Sequence, residues 1–242
     1  MTPQKPLTDK EWGSHYNINI LDSVVHSVQH KNFSIQTQEM LSITKENDKV
    51  LEIGCGSGAS SLALAAHNRK ATALDYADEC VSLVRSAAVS LGVALEVYHH
   101  DAMQTLPFCD NEFDVIFHAG LLEHFEIDDR IKLLANWSRV GKKMVSLVPN
   151  AASLAYRVGK ADMERKGTWS YGLEIPIYSQ HTEFTKAGLR VLQEYTIGAS
   201  HALEFLSKWH PLRIVLRHWL KHNFCGDNCG QGYLLVTIGE KF

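Results

Sequence analysis

Short apolar runs rich in β-branched residues alternate along this chain with longer stretches in which apolar positions recur every three or four residues. That alternation is the pattern of strands joined by helices in a wound, mostly parallel sheet. Strands are predicted at Lys49 to Ile53, Ala71 to Leu74, Ala94 to Tyr98, Phe113 to Gly120 and Lys142 to Asn150. Between them, helices are predicted at about Ala59 to His67, Glu79 to Leu91 and Asp129 to Val140. After Asn150 the periodicity loosens, and the stretch reads as an insertion rather than a second domain. Two further strands, Val191 to Ile197 and Tyr233 to Ile238, flank a long helical segment. The polar, aromatic-dotted stretch before about Ser42 reads as helices covering the sheet or its open edge. No internal repeat or low-complexity linker interrupts this order.

Composition fits that picture. A chain of 242 residues, 45% of them apolar, can bury one sizeable core and suits a single large α/β domain. The net charge of −3 supplies no positive field for a polyanion, so no nucleic-acid partner is expected. The N-terminal MTPQKPLTDKEWG is too polar for a signal peptide, and no apolar run reaches the roughly 18 to 20 residues of a membrane span. A cytoplasmic protein without membrane association is expected. Five cysteines, an odd count in a chain of this size, read as free thiols rather than a disulfide framework.

The stretch VLEIGCGSGASSLALA, Val50 to Ala65, places three glycines in five positions between a strand and a helix. Ligands of wound sheets sit at the carboxyl ends of the strands, where glycines admit a ligand close to the backbone and a helix N-terminus offers free N–H groups. Asp75, ending the second strand about 20 residues on, stands where a carboxylate takes both hydroxyls of a ribose. A nucleoside ligand is implied. The spacing alone admits nicotinamide dinucleotides as well as S-adenosylmethionine, because Gly54, Gly56 and Ala59 satisfy the dinucleotide pattern too. Charge tilts the choice. No Lys or Arg occurs between Val50 and Asn68, while Glu52, Asp75 and Asp101 fall at or near strand ends. Such a setting suits a sulfonium and an ammonium better than a pyrophosphate.

Taken together, VLEIGCGSG, the acid in ALDYA and HHDAMQTLPFCDNEFDVIFHAGLLEHF resemble, in order and spacing, the class I S-adenosylmethionine-dependent methyltransferases over Lys49 to Pro149. The resemblance implies an α/β fold with a Rossmann-like, seven-stranded, mostly parallel sheet and helices on both faces, plus N-terminal helices and an insertion after strand five. It implies one domain over residues 1–242, with a cap region at 1–42, a cofactor-binding core at 43–149, a substrate-side insertion at 150–185 and C-terminal strands and helix at 186–242. S-adenosyl-L-methionine would be the methyl donor and S-adenosyl-L-homocysteine the product. Gly54, Cys55, Gly56 and Gly58 would meet its methionine portion, with Glu52 organising the loop. Asp75 would hold the ribose and Tyr76 pack on the adenine. Asp101 would accept the adenine amino group, the Ala102 N–H address a ring nitrogen, and His118 line the pocket through its backbone.

In LLEHF, His124 is expected near the start of the helix after strand four, where the helix N-terminus would keep it neutral and able to accept a proton; it is the candidate general base. A helix-start histidine hydrogen-bonded to backbone is the alternative. Glu123 and His124 also resemble the Glu-His pair with which some quinone-biosynthesis methyltransferases, together with a further acid, hold a divalent metal. Gly120 stands in the place of that acid, so no metal is expected. Cys225 and Cys229 in CGDNCG lack a second pair of ligands and read as a solvated loop rather than a zinc site.

A small-molecule acceptor, with its accepting atom left open, is expected to meet Trp12, Tyr16, Arg157, Trp169 and Tyr178, aromatic and cationic residues outside the stretch that carries the resemblance. Ordinary packing explains the same residues. A nicotinamide-dependent oxidoreductase and a non-catalytic S-adenosylmethionine-binding module are the alternative functions. Finally, LSKWHPLRIVLRHWLKHNF mixes Lys208, Arg213, Arg217 and Lys221 with Leu, Ile, Val and Trp. A basic amphipathic helix of this kind lies on an anionic membrane or packs on its own domain, and its position between two strands favours packing.

Overall fold

The computed structural model describes residue 5, residues 7–222 and residues 230–242; the Cys225 and Cys229 reading lies outside them. Seven strands form one sheet in the order β3-β2-β1-β4-β5-β7-β6: β1 Lys49–Ile53, β2 Lys70–Asp75, β3 Glu96–His99, β4 Phe113–Ala119, β5 Gly141–Pro149, β6 Leu189–Ile197 and β7 Leu234–Lys241. All pairings are parallel except those of β7, which runs antiparallel to both β5 and β6. The mostly parallel, seven-stranded sheet is the one expected.

Strands buried on both faces need apolar residues at consecutive positions, and β1 and β4 have them. Leu51, Ile53 and Ile116 enter one core with Trp137, Met144 and Phe184, while Val50, Val115 and Phe117 enter the other with Leu64, Val145 and Val236. The first core is covered by α6 (Ile127–Ser138) and α8 (His181–Lys186), the second by α3 (Ile35–Ile43) and α4 (Ala59–Ala66). Near the β3 edge, α2 (Leu21–Gln29) packs on α5 (Asp78–Leu91). Of the N-terminal helices, α3 thus covers the sheet and α2 packs on another helix rather than on an open strand edge. The first of them, α1 (Asp9–His15), begins with a capping box in which Thr8 and Glu11 satisfy each other's backbone N–H groups.

Element boundaries shift where local signals compete. The third strand starts at Glu96 rather than Ala94. The helix after β4 spans Ile127–Ser138, with Asp128 and Asp129 in its first turn rather than at its edge. His124 therefore does not start that helix. It ends a separate 3-10 turn, Leu122–His124. In the insertion, α7 (Leu154–Lys166) is followed by irregular chain, and α8 already belongs to the sheet cover, with Phe184 fully buried. After β6 come a short α9 (Ala199–Ala202) and α10 (Pro211–His222).

Strand order reverses between β1 and β4. Connections leave these two strands toward opposite sides of the sheet, and the crevice at their carboxyl ends is where such folds take ligands.

Candidate active site

A cavity of about 380 Å³ opens at that crevice. Its floor is the loop after β1. Gly54 and Gly56 take φ of +67° and +52°, a region costly for any residue with a Cβ. A Cβ at Gly54 would come within 2.9 Å of Leu121, and one at Gly56 within 3.1 Å of the Tyr16 ring. The backbone is bare there, with side chains from two other segments already close to it.

Glu52 fixes the loop to the following helix: its Oε2 accepts from the Ser61 N–H at 3.0 Å and the Ser61 hydroxyl at 2.5 Å. Burial pushes its carboxyl up to about 7 against those two donors. Asp75 ties the loop to β2, its Oδ2 accepting from the Gly56 N–H at 2.8 Å and its Oδ1 from the Ala77 N–H at 3.0 Å. Burial raises the Asp75 pKa, and these N–H groups pull it back down. Each oxygen keeps acceptor capacity for a ligand hydroxyl.

Glu52, Gly54, Cys55, Gly56, Asp75, Tyr76, Asp101 and Ala102 all line the cavity, as does His124. Two residues assigned to the cofactor lie elsewhere. Gly58 faces away, where a Cβ would strike Val84 at 2.5 Å; its lack of a side chain lets α4 and α5 approach. His118 is fully buried beneath the site, its Nε2 paired with the Ser146 hydroxyl at 2.7 Å and its ring 5.6 Å from that of Trp137. Burial depresses its pKa to about 3. Neither residue is among those lining the cavity.

The roof comes from α1, braced by the insertion. Trp12 and Tyr16, four apart on one helix face, both line the cavity, and Trp12 meets the His124 ring edge-on at 5.2 Å. His15 Nε2 pairs with the Ser170 carbonyl at 3.0 Å, and the Leu173 N–H donates to the Lys5 carbonyl at 3.0 Å, so the two segments hold each other. The remaining acceptor candidates are not in the lining. Tyr178 is exposed, Arg157 is half-buried outside the cavity, and Trp169 lies beyond Tyr171, under the Lys160 ammonium at 4.7 Å, with its indole N–H donating to the Gly172 carbonyl. Packing accounts for Trp169.

Imidazole Nδ1 of His124 lies 2.5 Å from the Leu173 carbonyl. A carbonyl only accepts, so Nδ1 carries the proton and Nε2 keeps its lone pair. Burial lowers the His124 pKa, partly offset by the Leu173 and Gly120 carbonyls. The neutrality expected from a helix N-terminus is present but has desolvation as its cause. Beside it Glu123 is buried, its Oε1 4.0 Å from His124 Nε2 and its Oε2 without a hydrogen-bond partner among the described residues. Desolvation raises the Glu123 pKa well above its ordinary value, and the nearby Glu174 adds to the rise. Sequence reasoning missed several lining residues: Ser34 and Gln36 near the start of α3, Met103 beside Asp101, and Phe125 beside His124. Proximity to an assigned residue flags the last two; nothing in the sequence flags the first two.

The electrostatic character of the lining is one-sided. It contains three acidic side chains, Glu52, Asp75 and Asp101, and no Lys or Arg.

Residues 50–144 match the family described as a methyltransferase domain. The chain is 27% identical over 128 residues to the demethylmenaquinone methyltransferase of Bacillus cereus (strain AH187), a match that covers 51% of this chain and about half of that protein, 52%. Among solved structures, the (4+2)-cyclase SpnF superposes with a TM-score of 0.62 at 16% identity, covering 99% of this chain and 98% of its own. Magnesium protoporphyrin IX methyltransferase from Synechocystis PCC 6803 with bound SAH superposes with a TM-score of 0.56 at 11% identity, covering 93% and 85%. At such identities the structures speak for the fold alone. The family match thus spans β1 to the start of β5, and the solved structures share the fold over most of the chain.

Proposed function

We propose that this protein binds S-adenosylmethionine in the cavity at the β1/β4 crevice and transfers its methyl group to a small-molecule acceptor, releasing S-adenosylhomocysteine. The observation that carries the reading is the lining: glycine backbone, three acidic side chains and no Lys or Arg. A sulfonium and an ammonium gain from carboxylates in a partly desolvated site, whereas a pyrophosphate would meet them without a countercharge. A nicotinamide dinucleotide fits this lining poorly.

When bound, S-adenosylmethionine supplies a methyl group already activated by its positive sulfur. The protein's task is then alignment, exclusion of water and, for a protonated acceptor, removal of a proton. Gly54 and Gly56 admit the amino-acid end against backbone, Asp75 takes the ribose hydroxyls, and Tyr76, Asp101 and the Ala102 N–H address the adenine. Glu52 holds the loop to α4. Trp12 and Tyr16 cover the cavity and keep water from it. His124, with Nδ1 committed to the Leu173 carbonyl, offers Nε2 as the base. Trp12, Tyr16 and Phe125 give the acceptor aromatic surfaces, which suits a planar ring. The demethylated quinone class named for the Bacillus relative is the first acceptor to test.

Incubation with methyl-labelled S-adenosylmethionine and fractionated small-molecule pools tests the reading. Label should pass to an organic acceptor with one S-adenosylhomocysteine formed per methyl moved. Tight cofactor binding with no transfer to any pool would favour the non-catalytic binding module instead.

A further inference from the structure

The inner face of α10 does what its sequence position suggests. Leu212, Leu216 and Leu220, four residues apart, pack on Ala155, Ala202, Leu203 and Leu206. Its outer face is unusual. Ile214 is 56% exposed, Val215 63% and Trp219 41%, and Trp209, just before the helix, is 87% exposed. Single exposed apolar residues need no explanation, but four large ones on one short segment do.

Charge says what covers them. From Phe205 to His222 the chain contains no Asp or Glu but carries Lys208, Arg213, Arg217 and Lys221, in a protein whose net charge is −3. Arg213 is turned inward, donating to the Leu206 carbonyl. Lys208, Arg217 and Lys221 are exposed and form no ion pair among the described residues. At 100° per residue Arg217 and Lys221 flank the Ile214 side of the outer face, the exposed His218 and His222 lie between Ile214 and Val215, and Lys208 adjoins Trp209. Two tryptophans and two aliphatic side chains bordered by unpaired cations match the boundary between acyl chains and anionic headgroups. A second copy of this chain, itself acidic overall, would offer the cations diffuse charge but no array of anions around an apolar layer. No helix among the described residues is long and apolar enough to cross a membrane, so the contact would lie in the interface plane.

We propose that the outer face of α10, with Trp209, is a docking surface for an anionic lipid bilayer. The surface is linked to the site through the insertion. Helix α10 packs on α7, whose Tyr156 hydroxyl donates to Glu174, adjacent to the Leu173 carbonyl that holds His124. Docking would bring the insertion to the lipid surface, where an acceptor that partitions into membranes is concentrated. The proposal stands apart from the reaction assigned above, and its test involves no turnover.

The test is co-sedimentation of the full-length protein with large unilamellar vesicles of phosphatidylcholine alone or mixed equally with phosphatidylglycerol, with tryptophan emission recorded in parallel. The protein should partition at least about tenfold more strongly onto the mixed vesicles, with a blue-shifted emission, and should dissociate as salt is raised. In Lys208→Glu/Arg217→Glu/Lys221→Glu the preference should vanish, because each cation near such a surface contributes roughly fivefold in partition. In Trp209→Ser/Ile214→Ser the blue shift should be lost. Both variants change exposed side chains, and an unchanged melting temperature would show that they fold. Equal partition onto both vesicle types, or binding that survives both variants, would overturn the proposal. So would concentration-dependent self-association, or salt-sensitive binding to duplex DNA in place of vesicles, abolished by the same substitutions.

Discussion

At the level of single residues, two histidines close in sequence sit in different surroundings. His118 and His124 are both buried and both depressed in pKa, yet His118 is sealed under the sheet end while His124 lines the cavity. The His124→Ala variant should keep S-adenosylmethionine affinity within about twofold and lose roughly 100-fold in turnover on a protonated acceptor. Because the His124 pKa lies below the ordinary imidazole value of 6.5, wild-type turnover should be level through neutrality and fall only in more acidic buffer. A turnover profile unchanged by the substitution would remove the base. His118 should appear in stability instead. Its folded pKa of about 3 lies below the unfolded 6.5, so as pH falls below 6.5 the unfolded chain takes up a proton that the folded chain refuses. Stability from this group is full above 6.5 and declines toward acid. Burial-raised Glu52, at about 7, acts in the opposite sense between its unfolded value and neutrality, so the wild-type curve alone would hide the effect. Comparison with His118→Gln exposes it. Between pH 7.5 and 5, urea unfolding should show wild type losing about 2 kcal/mol relative to the variant. Parallel curves would contradict the assignment.

At the scale of elements, the loop after β1 is where the chain is least able to change. A valine at Gly56 meets both a left-handed backbone and the Tyr16 ring at 3.1 Å. Gly56→Val should leave circular dichroism intact and weaken S-adenosylmethionine binding by more than about 100-fold, since it both lifts the α1 cap and fills the ligand's backbone approach. A folded variant that binds within threefold would mean the ligand lies elsewhere. This loop, β1 and Asp75 were fully legible in the sequence because each is marked by local residue type: apolar run, glycines, then an acid at a strand end. The position of His124 was less so. Its acid-rich successors Asp128 and Asp129 mark the first turn of α6, but nothing in their identity reveals that a separate 3-10 turn precedes it. The insertion was the least legible. Arg157, Trp169 and Tyr178 have the composition of a binding surface, yet Trp169 is spent on Lys160 and the Gly172 carbonyl. Which way an irregular segment turns its side chains depends on long-range contacts such as Leu173 with Lys5, and these leave no local periodicity to read.

For the molecule as a whole, strand order decides where chemistry can happen. A sheet ordered β3-β2-β1-β4-β5-β7-β6 has its reversal between β1 and β4, and the glycine loop, Asp75, Asp101 and His124 all reach that one crevice from separate strand ends. We propose that this crevice recognises a cationic nucleoside, S-adenosylmethionine, through its acidic side chains. Calorimetric titration of the purified protein with S-adenosylmethionine, S-adenosylhomocysteine and NADPH, repeated on Asp75→Ala, tests it most directly. The first two ligands should bind at one site per chain and NADPH should not, and the variant should bind both about 10- to 100-fold more weakly, the scale of lost charge-assisted bonds. NADPH binding more tightly than S-adenosylmethionine, or affinities unmoved by Asp75→Ala, would contradict it.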